Sequence, residues 1–103
     1  MITAISKFKL PVGLDRAALI EDIKHSIPMY QGRAGLRRKY ICINQQEGWG
    51  CGIYLWETRA QAEAFFAMAR EMIRKQTGSE PEITLLDTPV IVDNVTGEVA
   101  VTA

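Results

Sequence analysis

The sequence predicts an α+β domain on the ferredoxin-like plan: strand, helix, strand, strand, helix, strand, with one antiparallel sheet carrying both helices on the same side. Three observations predict it. Two stretches have apolar residues at helical spacing, two β-rich segments lie between them joined by a short glycine-ended loop, and further β-rich segments open and close the chain. The 103 residues are the usual size of one core. Residues 1–103 therefore read as a single domain, with no internal repeat or linker.

MITAISKFKL reads as the first strand, ended by Pro11 and Gly13. Asp15 is a suitable N-cap for the helix that follows. Leu19, Ile20, Ile23 and Ile27 then form one apolar stripe until Pro28 stops it. A polar loop, Tyr30 to Gly35, leads to LRRKYICIN, the second strand. Gln46-Glu47-Gly48 reads as a three-residue hairpin loop with Gly48 in the left-handed region, and WGCGIYLWE as the third strand. Thr58 with Gln61 gives a helix-start signature. Ala62, Phe65, Phe66, Ala69, Met72 and Ile73 share one face of the long helix, Glu71 and Lys75 pair on the other, and Thr77-Gly78 ends it. The remainder is β-rich but interrupted by Pro89, which predicts an edge strand or two and a terminal extension.

A three-residue loop sets a register in which Asn44 faces Gly50, Cys42 faces Gly52, Tyr40 faces Tyr54 and Arg38 faces Trp56. One side of the hairpin then holds Ile41, Ile43, Cys51, Ile53 and Leu55, with Lys39 beside Leu55. The other holds Arg38, Tyr40, Cys42, Asn44, Gly50, Gly52, Tyr54 and Trp56. Cys42 and Cys51 fall on opposite faces, where no disulfide can join them. Gly50 and Gly52 leave a notch walled by Tyr40, Tyr54 and Trp56, with Arg38 and Asn44 as its polar groups, and such a lining suits a flat small molecule. The alternative is that the bare strand lets a helix or a partner strand approach closely. Two helices cover only one face of a four-stranded sheet, yet the strands are apolar on both. A homodimer packed sheet to sheet is therefore expected.

Twelve basic against twelve acidic residues leave no net charge, so nucleic acid is not an expected partner. The cluster Arg33, Arg37, Arg38 and Lys39 reads as a solvated run. No apolar stretch is long enough to span a membrane, and the N-terminus does not fit a signal peptide, so a cytoplasmic location with reduced cysteines is expected. Two Cys and one His offer no metal-ligand spacing. His25 lies opposite the apolar stripe, one turn after Glu21, and reads as a solvated ion pair and not as a general base.

GLRRKYI (Gly35 to Ile41) and GWGCGIYLWETRAQAEAF (Gly48 to Phe65) resemble the YdhR-like monooxygenases of the dimeric α+β barrel superfamily. The resemblance is strong over the middle third, and its motifs specify fold better than chemistry. It implies a ferredoxin-like homodimer whose sheets meet as a barrel, and relatives that oxidise electron-rich aromatic or polyketide substrates with O₂, using no flavin, haem or metal. On that reading Arg38 or Asn44 stabilises the substrate anion, while Tyr40, Tyr54, Trp56, Gly50 and Gly52 shape the pocket. The chain departs from the family at Arg33-Ala34, where a proline is expected. It also lacks an Asn in the first strand, which disfavours the haem-degrading branch. A non-catalytic dimer that binds a small ligand, and an isomerase or decarboxylase on the same fold, are the competing expectations.

Overall fold

The computed structural model describes residues 1–13 and 15–102. Its elements are β1 (Ile2–Lys9), α1 (Arg16–Lys24), α2 (Ile27–Tyr30), β2 (Leu36–Asn44), β3 (Trp49–Trp56), α3 (Arg59–Thr77), β4 (Glu82–Asp87), β5 (Val90–Val92) and β6 (Val99–Val101). Four strands form one sheet in the order β2-β3-β1-β4, every neighbouring pair antiparallel, and β5 and β6 make a separate hairpin. Each helical connection joins parallel strands and so must cross over another strand, which interleaves the two halves. This is the ferredoxin-like α+β arrangement predicted from the element order.

The long helix forms as its residues dictate. The Thr58 hydroxyl accepts from the Gln61 N–H at 3.2 Å, and Gly78 closes the other end at φ 75°, a left-handed conformation that costs glycine little. Its buried face, Ala62, Phe65, Phe66, Ala69 and Ile73, packs on Ile2, Ala4, Tyr54 and Trp56 of the sheet. Tyr54 and Phe66 meet edge to face with centroids 5.0 Å apart, and Trp56 lies 5.3 Å from Phe65. Such pairs add about 0.5–1.5 kcal/mol each beyond the area they bury. On the polar face Glu71 bonds Arg74 and not Lys75.

The first helix differs from expectation. It ends at Lys24, and Ile27–Tyr30 form a separate turn, α2, with Pro28 inside its first turn. Proline is tolerated there because the N–H it lacks would have no helical partner. Of the predicted stripe only Leu19 is buried, while Ile20 and Ile27 are exposed. A helix that buries so little stands off the sheet.

The hairpin register also differs, by one residue. The loop has four residues, Gln45 to Gly48, so Asn44 pairs with Trp49, Cys42 with Cys51, Tyr40 with Ile53, Lys39 with Tyr54 and Arg38 with Leu55. Asn44 is the cause: its carbonyl accepts from the Gly48 N–H at 2.9 Å, and its side chain accepts from the Glu47 N–H at 3.1 Å. Because side chains alternate, the slip turns the β2 residues from Arg38 to Asn44 to the opposite face from that expected relative to β3. Lys39, Ile41 and Ile43 now share the helix side with Gly50, Gly52 and Tyr54. Arg38, Tyr40, Cys42 and Asn44 share the outer side with Trp49, Cys51, Ile53 and Leu55. A bulge between Leu36 and Arg38 returns Leu36 to the partner of Trp56.

Strand β4 lies at a sheet edge, as Pro89 foretold. Beyond it the β5–β6 hairpin folds back, and its Asp93 carboxylate accepts from the Arg38 guanidinium on the outer face of β2. Among the described residues, no helix is long and apolar enough to cross a membrane.

Candidate functional site

A cavity of about 640 Å³ lies under α1 and α2, between them, α3 and the inner face of the sheet. It exists because α3 packs closely on β1 and β3 while α1 does not. Its chemistry is supplied by Ser6 on β1, Lys39 on β2, Gly52 and Tyr54 on β3, and Tyr30 on α2.

Lys39 is the unusual member. Its Nζ lies 2.9 Å from the Tyr54 hydroxyl oxygen, to which it donates, 3.2 Å from the centroid of the Tyr30 ring and 4.3 Å from that of Tyr54. No carboxylate pairs with it among the described residues. Burial disfavours the ammonium, and it lowers the Lys39 pKa from 10.5 to about 7. The two ring faces oppose this by attracting the cation. The result is an amine that exchanges its proton near neutrality within an aromatic corner.

The tyrosines keep their protons. Burial raises the Tyr54 hydroxyl well above its ordinary range, with Tyr30 adding to the effect. Burial also raises Tyr30, against smaller opposing contributions from Tyr54 and Arg33. Tyr54 can therefore accept from Lys39 and still donate its own hydrogen.

Gly52 explains how Tyr54 comes to lie there. A Cβ at Gly52 would stand 2.9 Å from the Tyr54 ring and 3.1 Å from its hydroxyl, so the bare position is the bed on which the ring reclines. Gly50 serves packing: a Cβ there would come within 2.8 Å of the Cys42 carbonyl oxygen and 3.1 Å of Phe8. Beside Gly52 on β1, the Ser6 hydroxyl is buried and has no hydrogen-bond partner among the described residues. A buried hydroxyl in that state costs stability unless something polar reaches it.

The residues expected to form the site divide between two faces. Tyr54 and Gly52 line the cavity. Trp56 is 1% exposed and sits in the core, its ring stacked on Tyr54 with centroids 6.2 Å apart, and Gly50 is buried against Phe8 and Leu10. Arg38, Tyr40 and Asn44 lie on the outer face, where Arg38 donates to Tyr40 at 3.4 Å and to Asp93, and Asn44 closes the hairpin loop. The five expected side chains therefore do not surround one notch. His25 lines the cavity, and Glu21 pairs with Lys24 instead, at 3.1 Å. From the sequence Lys39 was expected on the aliphatic side of the hairpin, with no role in a site, and neither Ser6 nor Tyr30 was expected in one. The available signal was Lys39 itself, a lysine two residues before Ile41 and four before Ile43, and hence on the same strand face as both.

No protein-family model matches the chain, and no curated protein does. Solved structures do. A candidate antibiotic biosynthesis monooxygenase of Deinococcus radiodurans superposes with a TM-score of 0.68 at 11% identity, over 90% of this chain and 97% of that one. One of Bordetella bronchiseptica gives 0.62 at 14% identity, over 84% and 95%. A Mycobacterium tuberculosis protein gives 0.62 at 16%, over 84% and 93%. At such identities the likeness concerns the backbone and its connections. The chain thus shares the ferredoxin-like fold of these structures.

Proposed function

We propose that the chain is a monooxygenase of a small phenolic compound that works without an organic or metal cofactor, and that its site is the cavity holding Lys39. The observation that carries this reading is an amine with no carboxylate partner among the described residues, desolvated beside Tyr54 and Tyr30 in the cavity. The names of the structural neighbours agree with it.

In the proposed reaction the neutral Lys39 amine takes the phenolic proton. It thereby becomes the ammonium that holds the phenolate, so one side chain is first base and then counter-ion. Tyr54 and Ser6 can donate further hydrogen bonds to that oxygen. The electron-rich phenolate supplies the electrons to O₂. One oxygen atom enters the ring opposite the hydroxyl, the other leaves as water with two substrate hydrogens, and the phenol becomes a quinone. Electrons balance without a further reductant.

The experiment is oxygen-electrode recording with a panel of phenols and naphthols, on the wild type and Lys39→Met. Oxygen uptake with quinone formation in the wild type, lowered at least about 100-fold in the variant, is the expected result for loss of a general base. Binding with neither oxygen uptake nor turnover would favour a ligand-binding protein, and turnover without oxygen uptake an isomerase or decarboxylase.

The proposal includes a homodimer packed through the outer sheet face. Support comes from two adjacent rows there, Arg38-Leu55-Thr3-Leu86 and Tyr40-Ile53-Ile5-Thr84, whose apolar members the helices do not cover.

A further inference from the structure

The outer face carries a second reactive group, independent of the cavity. Cys42 and Cys51 are directly opposite each other in the β2–β3 ladder, and both are free thiols. Directly opposed residues of antiparallel strands have Cα atoms about 4.5–5.5 Å apart, inside the span of about 4.4–6.8 Å that a disulfide bridges. The one-residue register slip thus turns a pair expected on opposite faces into neighbours on one.

The surroundings give the two thiols different roles. Cys42 is exposed, whereas Cys51 is half-buried. Burial raises the Cys51 thiol, with Cys42 adding to the effect and Lys7 opposing it. Lys7 stands directly opposite Cys51 on the next strand, and Glu82 opposite Lys7. This Cys42-Cys51-Lys7-Glu82 row lies toward the polar end of the sheet, next to Asn44, Trp49 and Lys9. It adjoins the apolar rows but falls outside them.

We propose that Cys42 and Cys51 form a reversible dithiol–disulfide pair whose oxidant is a small hydroperoxide. The Cys42 thiolate attacks the hydroperoxide, the O–O bond breaks, an alcohol or water leaves, and Cys42 becomes a sulfenic acid. The Cys51 sulfur then attacks the Cys42 sulfur, the S–S bond forms and water leaves. Two thiols and one hydroperoxide give one disulfide, one alcohol (or water) and one water, the two sulfurs together supplying two electrons. The disulfide would staple β2 to β3, the strands that carry Lys39 and Tyr54.

The test treats the full chain with equimolar hydrogen peroxide. It follows free-thiol titre, intact mass and the disulfide-linked peptide under non-reducing conditions. The wild type is expected to fall from two thiols to none, lose the mass of two hydrogens, yield a Cys42–Cys51 peptide from the monomeric chain, and recover both thiols with dithiothreitol. Cys51→Ser is expected to accumulate a dimedone-reactive sulfenic acid at Cys42 that the wild type does not. Sulfinic or sulfonic acid at Cys42 with Cys51 still free, crosslinks only between chains, or thiols unchanged by peroxide would each overturn the proposal. The wild-type arm decides even if the variant fails to fold.

Discussion

Lys39 concentrates the chemistry of the cavity, and its charge ties stability to pH. Its folded pKa, about 7, lies below the ordinary 10.5, so between these values the unfolded chain binds more protons than the folded one. Stability attributable to this group therefore rises as pH rises through that window, and the cost of the buried ammonium is felt in full below it. Lys39→Met should raise the denaturation midpoint most at about pH 6, with the gain shrinking toward pH 10.5. Thermal melts of both proteins across that range check this, and a pH-independent difference would contradict it. Gly52→Ala makes a second case, since its Cβ would press on Tyr54 at 2.9 Å. A cost of about 1–3 kcal/mol, typical of overpacking, together with weaker phenol binding, is expected from denaturant titration and binding measurements. A neutral result on both would remove Gly52 as the bed of Tyr54.

At the scale of elements, much was legible because local chemistry decides it. The bounds of β2 and the span of α3 follow from apolar spacing, the Thr58 cap and the glycine at 78, none of which depends on distant contacts. The hairpin register did not follow, because it turned on Asn44 bonding the loop with both its carbonyl and its side chain. A loop of three residues and one of four both place Gly48 last and satisfy its backbone equally well. That single residue moved Lys39 into the cavity and brought Cys42 to Cys51. The limit on α1 was similar: whether Pro28 ends a helix or begins a turn depends on what lies above the sheet. The C-terminal hairpin is tied across the outer face by Arg38 and Asp93. The guanidinium, with the N–H groups of Val95 and Thr96, holds the Asp93 carboxyl below its ordinary value. Its contribution is thus present above the ordinary carboxylate pKa and lost as pH falls through the lowered one. Asp93→Asn should loosen the hairpin, seen as faster amide exchange at Val90–Val92 and Val99–Val101 with the sheet unchanged. Unchanged exchange would show that the ion pair does not hold it.

In the whole molecule, one side of the sheet is closed by helices around a cavity and the other is left with apolar rows and the exposed valines 90, 92, 99 and 101. Light scattering at micromolar concentration should return twice the 11.5 kDa chain mass, and a monomer would remove the outer face as an interface. The fold class was readable because element order and two-sided apolarity are global properties of the sequence. The position of the site was not, because it rests on α1 standing off the sheet. The proposed chemistry depends most on the amine in that space being neutral near physiological pH. The most direct measurement is therefore an NMR titration of the Lys39 side chain, assigned by comparison with Lys39→Met. A midpoint near 7 is predicted, and a midpoint near 10.5, the ordinary lysine value, would contradict it.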